Sequence, residues 1–212
     1  MSRASWLRIG CTLFAFIIPF SAYGNAQDLN TAKTEPPIWQ EGEREAVPNY
    51  PSYRKPTPYR EGLTPKGNYY RYFRDGSGHV SPSSTSSIDE QWSVSCSQDA
   101  ITDVKSCQIT NFGTHIFISL TASLSISDIC ILNHDFPGRA GAIRVDSNRA
   151  FQTDTEGCLR SPALLAQLRS GSKVTTRRIQ WPDDYPRDAS GDLGSLDDAI
   201  ALLSYVKKNI KM

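Results

Sequence analysis

From Trp92 onward apolar and polar residues alternate, whereas the stretch before it has almost no aliphatic rhythm. Trp92, Val94 and Cys96 share one parity and Ser93 and Ser95 the other, which predicts a first strand. Cys107 and Ile109, then Ile116, Ile118 and Leu120, give further alternating runs on either side of the Asn111 to Gly113 turn signal, so a hairpin is expected. Leu124 and Ile126 continue one face, but Ile129 and Ile131 fall on the opposite parity. A bulge or tight turn is therefore predicted at Ser127 and Asp128. Asn133 to Gly138 reads as a loop, Ala142 to Val145 as a short strand, Asp146 to Asn148 as a turn and Lys173 to Trp181 as another strand. Pro182 to Asp192 (PDDYPRDASGD) reads as an exposed loop.

Two segments have helical spacing instead. Ser161 offers an N-cap with Pro162 at the first helical position, Leu164, Leu165 and Leu168 form a stripe, and Gly171 supplies the stop. Near the C-terminus Ser195 and Asp198 make a capping-box variant ahead of Leu196, Ile200, Leu203 and Val206, with Lys207, Lys208 and Lys211 at the favourable end of the dipole. Residues 91–212 thus read as one all-β domain with two short helices.

Residues 27–90 contrast with this. They hold Pro36, Pro37, Pro48, Pro51, Pro56, Pro58, Pro65 and Pro82, mixed charges and a Ser/Thr run from Ser81 to Ser87. Such a composition buries too little apolar surface to offset chain entropy, so a disordered Pro/Tyr-rich arm is expected, with little effect on the melting temperature when Gln27 to Ser87 are removed. Tyr50, Tyr53, Tyr59, Tyr69, Tyr70, Tyr72 and Phe73 interleave with Arg54, Lys55, Arg60, Lys66, Arg71 and Arg74. A plain solvated tether accounts for the segment; as partner contacts from an unfolded backbone, Tyr69, Tyr70, Arg71, Tyr72 and Phe73 are the candidates. Residues 1–26 read as a secretory signal: Arg3 and Arg8 precede an apolar run from Cys11 to Phe20, and Ala22, Gly24 and Ala26 place cleavage after Gly24 or Ala26. That run is about half the roughly 20 residues a membrane span needs.

Composition narrows the function. The 212 residues carry a formal charge of +1, and removing Arg3 and Arg8 with the leader leaves 21 basic against 22 acidic residues, with no basic excess for a nucleic acid. Past the leader an even set of cysteines remains, Cys96, Cys107, Cys130 and Cys158, which in an oxidising compartment reads as two disulfides with three possible connectivities. No C-x-x-C pair exists, and His79, His115 and His134 do not stand at ligand spacing from the cysteines, so no metal and no cofactor is expected. His134 and Asp135 lack a nucleophile elbow or a third partner and read as loop residues. The carboxylates Asp183, Asp184, Asp188 and Asp192 lack the spacing of a calcium loop. Between residues 139 and 187 basic side chains outnumber acidic ones, and Arg139, Arg144, Arg149, Arg177 and Arg178 are the candidate binding patch for an anionic glycan, lipid headgroup or acidic partner. Alternation turns Arg144 away from Ile143 and Val145, hence outward; an ordinary solvated sheet face would look the same.

The opening WSVSC with Cys107, then IRVD at Ile143 to Asp146, AFQTDTEGC at Ala150 to Cys158, LLAQL at Leu164 to Leu168 and the terminal GSLDDAIALL resemble the invasion-associated locus B family over about residues 92–203. The resemblance implies an immunoglobulin-like antiparallel β sandwich and a role in host invasion without a defined catalytic set. It departs from the family at Asp154, where a cysteine four residues before the position of Cys158 is usual, and Cys130 has no counterpart. A hairpin joining Cys96 to Cys107, in keeping with the family's opening cysteines, leaves Cys130 to pair with Cys158. The expectation is an exported, non-enzymatic envelope or secreted binding protein, periplasmic or at the outer surface, with no span after leader removal and an unidentified envelope or host-surface partner. The alternative is an envelope hydrolase or glycan-modifying enzyme with its site dispersed over loops.

Overall fold

The computed structural model describes residues 40–43, 56–120 and 126–209; the expected leader and most of the expected arm up to residue 55 lie outside them. In chain order the strands are β1 Gln40–Glu43, β2 Pro56–Leu63, β3 Tyr69–Phe73, β4 Ser77–Ser81, β5 Trp92–Gln98, β6 Lys105–Asn111, β7 Ile116–Leu120, β8 Ile126–Ile131, β9 Ala142–Val145, β10 Phe151–Gln152 and β11 Cys158–Leu159. Helix α1, Pro162–Ser170, leads into β12, Lys173–Gln180, and β13, Asp183–Asp192, and helix α2, Leu196–Asn209, follows. The larger antiparallel sheet runs β1 to β8 in sequence order with β11 added beside β8, and the smaller runs β10-β9-β12-β13.

Both sheets and both helices share one core, as in a β sandwich. Trp92, Val94, Ile109 and Ile118 from the large sheet, Ile143, Val145 and Val174 from the small one, Leu164 and Leu168 from α1, and Leu196, Leu202, Leu203 and Val206 from α2 form a single buried cluster. The cap of α1 is the one read from sequence: the Ser161 hydroxyl accepts from the Leu164 amide at 3.1 Å. The bulge also falls as expected. Ser119 pairs with Asp128 while Leu120 pairs with Ile126, leaving Ser127 as the extra residue that reverses parity.

Three expectations are corrected. Residues 56–90 are not arm: β2, β3 and β4 continue the large sheet, with β4 pairing onto β5 through Val80 and Trp92. Tyr70 and Tyr72 are 2% and 1% exposed, and the Tyr72 ring meets that of Tyr205 on α2 edge-on at 5.4 Å. Tyrosine supplies the buried parity here, so a search for aliphatic alternation does not see it. Second, Pro182 to Asp192 is not a loop, since its residues from Asp183 form the ten-residue strand β13, paired to β12 and exposed almost throughout. An edge strand needs no apolar face, and the edge tolerates Pro186 and a run of charges. Third, Asp198 does not close a capping box. Its buried carboxylate accepts from the Thr64 hydroxyl at 2.6 Å and the Asn68 amide at 2.7 Å, tying the β2–β3 turn to the first turn of α2.

The cysteines pair as Cys96 with Cys107 and Cys130 with Cys158, with Cα atoms 4.1 and 4.0 Å apart. Each pair sits directly opposite in register. The Cys96 amide donates away from its partner, to the Gly76 carbonyl at 3.0 Å, and the Cys158 amide to the Asp154 carboxylate at 2.8 Å. Both are therefore close, non-hydrogen-bonded cross-strand positions. Asp154, where the resemblance leads one to expect a cysteine, caps the turn instead, accepting also from the Glu156 amide at 3.0 Å while Gly157 takes a left-handed φ of 78°.

Candidate functional site

The outward face of the small sheet is built by alternation. Ile143 and Val145 are fully buried, which turns Arg144 to solvent, and on β12 the buried Val174 and Thr176 leave Thr175 and Arg177 on the other side. The register sets Thr175 opposite Arg144 and Arg177 between Ala142 and Asp188. A shallow depression of about 180 Å³ results, lined by the polar residues Arg144, Arg177, Asp188, Gln152 and Thr175 together with Ala142 and Ala150.

The two arginines differ in state. Arg177 grips Asp188 through Nε to Oδ1 at 2.7 Å and Nη2 to Oδ2 at 2.8 Å, a two-point pairing of planar groups. The Asp188 carboxyl is held below its ordinary value chiefly by that bond, against the opposing effect of burial and with added help from the charges of Arg177 and Arg144. Among the described residues Arg144 has no ion-pair partner, so its guanidinium faces the depression with its donors unclaimed by an acid. The Thr175 hydroxyl, 2.8 Å from that of Ser190, adds a polar group beside it. The arrangement presents a cation, two neutral hydrogen-bonding side chains and a carboxylate already bound by arginine. It suits recognition of an anionic oxygen group; it offers no adjacent nucleophile and base.

The other expected patch residues go elsewhere. Arg139 is paired to Asp184 through Nη1, at 2.5 and 2.7 Å from its two oxygens. Arg149 is exposed just after the turn that follows β9, without an ion-pair partner among the described residues. Arg178 is partly buried and meets Nε2 of His115. His115 is accordingly harder to protonate than usual, first because of burial and then because of the Arg178 charge, with Asp89 acting in the opposite sense. Five arginines thus resolve into one pair on the face of the small sheet and three separate positions, because Arg177 and Arg178 are successive residues of one strand.

The aromatic candidates of residues 69–73 divide by the same rule. Tyr70 and Tyr72 belong to the core. Tyr69, Arg71 and Phe73 alternate with them on the other face, where Tyr69 and Phe73 are also buried; Arg71 donates to Glu61 from Nε at 3.0 Å and Nη2 at 2.9 Å, and its guanidinium lies 4.8 Å from the centre of the Tyr59 ring. The Tyr69 hydroxyl also donates to Glu61; burial first, and then this bond, push the phenol well above its ordinary value. Burial would raise Glu61, but the bonds from Tyr69 and Arg71 prevail and hold it low.

No protein-family model matches the chain, and neither a curated protein nor a solved structure matches it at a meaningful level. His134 is a staple in this setting. Its Nδ1 accepts from the Ile179 amide at 3.1 Å, so Nε2 carries the proton and donates to the Arg139 carbonyl at 2.9 Å. The carboxylates of β13 are individually engaged: Asp183 by Arg187, Asp184 by Arg139, Asp188 by Arg177 and Asp192 by the Gly194 amide. Sequence reasoning found Arg144 and Arg177, weighed Asp188 only as a calcium ligand, and missed Gln152 and Thr175. Asp188 is legible only once PDDYPRDASGD is paired as a strand, because the partner of Arg177 is then fixed by register.

Proposed function

We propose that the chain is an exported, non-enzymatic binding protein of the envelope or cell exterior, and that the Arg144 shelf holds an anionic oxygen group of its partner. The observation that carries this reading is Arg144, unpaired among the described residues, beside an Arg177 already neutralised by Asp188. Two formed disulfides and the leader-like residues 1–26 support export, and the resemblance to invasion-associated locus B proteins supports contact with a host surface. The anion class is sulfate, carboxylate or phosphate; an acidic glycan and a lipid headgroup share that chemistry.

The test is titration of protein purified from the periplasm of an expression host. Dextran sulfate, unsubstituted dextran and vesicles containing phosphatidylglycerol serve as separate arms. Binding to one anionic probe, weakening with salt and reduced roughly tenfold in Arg144→Glu, is expected, whereas Arg144→Glu leaves the response to unsubstituted dextran unchanged. Equal binding by wild type and Arg144→Glu, or no binding to either anionic probe, overturns the reading.

A further inference from the structure

The turn end of the β12–β13 hairpin carries aromatic rings that the core does not use. Trp181 and Tyr185 are 62% and 74% exposed. Phe136, from the loop after β8, stands beside Trp181 with ring centres 5.6 Å apart and planes tilted by 46°. Rings of this size supply much of the apolar surface that stabilises cores, and here two of them face water. The register explains their position. Gln180 pairs with Asp183 and Ile179 with Pro186, so Trp181 and Pro182 form the turn while Asp184 and Tyr185 are extra residues on β13.

Trp181 and Phe136 are firmly presented. The Trp181 amide donates to the Asp135 carboxylate at 2.7 Å, and the amides of Asp135 and Phe136 both donate to the Ile179 carbonyl, at 3.2 and 3.3 Å. With His134 bonded between Ile179 and Arg139, the loop is tied to the end of β12 on both sides of Phe136. A platform restrained in this way loses little conformational freedom when a partner settles on it.

The surrounding charges select the partner. Asp183 is paired with Arg187 at 3.0 Å and Asp184 with Arg139 at 2.5 Å. A strongly charged partner finds both arginines answered, and entry into a bilayer would desolvate both pairs. What fits an exposed π face bordered by satisfied carboxylates and guanidinium groups is a neutral polyhydroxylated ring. Its polarised C–H groups stack on the electron-rich aromatic face, and its hydroxyls donate to carboxylate oxygens that retain free lone pairs. We infer that Trp181, with Phe136 and Tyr185, forms a contact surface for a neutral carbohydrate chain. This surface is distinct in residues and in charge from the Arg144 shelf.

The experiment is affinity electrophoresis of the periplasmically purified chain through native gels containing dextran, mannan, galactomannan or mixed-linkage β-glucan, with vesicles of phosphatidylcholine and phosphatidylglycerol as a parallel arm. Retardation in at least one polysaccharide gel is expected, weakened roughly tenfold in Trp181→Ala, partly restored in Trp181→Phe and unchanged in Arg144→Glu. A melting temperature for Trp181→Ala equal to wild type separates loss of contact from loss of fold; if that variant melts early, Tyr185→Ala replaces it. No retardation in any of the four gels, or retardation that both ring variants keep, overturns the inference. Vesicle binding lost with Trp181, without retardation in the gels, overturns it in favour of a membrane contact.

Discussion

Pro56–Ser81 and Lys173–Asp192 are built from the same residue types: proline, tyrosine, arginine, serine and acids, with few aliphatics. The first lies inside the assembly of the large sheet, with Tyr70 and Tyr72 against the core and the turn between β2 and β3 holding Asp198 of α2. The second ends as an edge, with every residue of β13 from Asp183 to Asp188 exposed. Composition does not separate them. Position in the sheet does: β3 is bracketed by β2 and β4 and faces a helix, whereas β13 has a neighbour on one side only. The lesson is that a polar, proline-containing strand can be core if tyrosine occupies its inward parity, and can be paired yet solvent-exposed if nothing occupies it.

Deleting residues 56–87 is the largest test of this contrast. It removes β2–β4, uncovers the Tyr205 side of α2 and exposes the β4-facing edge of β5, so loss of the cooperative transition is expected in near-ultraviolet circular dichroism and thermal melts. A melting temperature within a few degrees of the full chain would return these residues to the status of an arm. Tyr72→Ala should cost about 3 to 5 kcal/mol by urea denaturation, as large-to-small changes at fully buried aromatic sites do. Tyr185→Ala, the same change on β13, should stay within about 0.5 kcal/mol of wild type. Comparable losses at the two tyrosines would erase the distinction.

The disulfides rank next. By the loop-entropy relation, replacing Cys130 and Cys158 together, 28 residues apart, should cost about 4 kcal/mol, and replacing Cys96 and Cys107, 11 apart, about 3 kcal/mol. Non-reducing peptide mapping checks the pairing itself, and a Cys96 to Cys158 peptide would contradict the registers of β5 with β6 and of β8 with β11. Asp198→Ala should lose about 2 kcal/mol, because the Thr64 hydroxyl and the Asn68 amide lose a charged acceptor in a buried setting. Thr64→Val should reproduce part of that loss if the link between turn and helix is its source.

The smallest effect is a pH dependence at the junction of β12 with the large sheet. The folded state holds His115 below its ordinary value of 6.5, first through burial and then through Arg178, so the unfolded chain takes up a proton at a higher pH than the folded one. Stability linked to this group is present above about pH 6.5 and is lost as pH falls below it. Urea midpoints at pH 7.5 and pH 5 measure the loss, and Arg178→Gln should reduce it only in part, since burial remains. An unchanged or larger difference in that variant would remove Arg178 from the account. Asp188, the exposed counterpart on β13, shifts in the carboxylate range instead: its bond with Arg177 favours the folded state above pH 3.8 and fades as pH falls further.

Local chemistry made much of this molecule readable from its residues. The period-2 runs from Trp92 to Leu120 and from Ile126 to Ile131, the parity change at Ser127, the Ser161 cap and the even cysteine count depend on neighbours in sequence or on immediate strand pairing, where spacing alone carries the physics; the expectation for Leu124 lies outside the described residues. The outward direction of Arg144 was legible for the same reason, since Ile143 and Val145 leave it no other side. What required the tertiary structure is decided by partners far along the chain. Tyr72 is core because Tyr205 stands 133 residues away against it, and Asp198 is a buried tie because Thr64 lies 134 residues before it. Arg177 is paired while Arg144 is not, because the register of β12 with β13 sets Asp188 directly opposite Arg177, and Arg144, one strand further away, acts on that carboxylate only through its charge. No local pattern encodes which strand lies at an edge. Burial follows from the order in which strands assemble, and that order is set by the sum of contacts across the whole sheet.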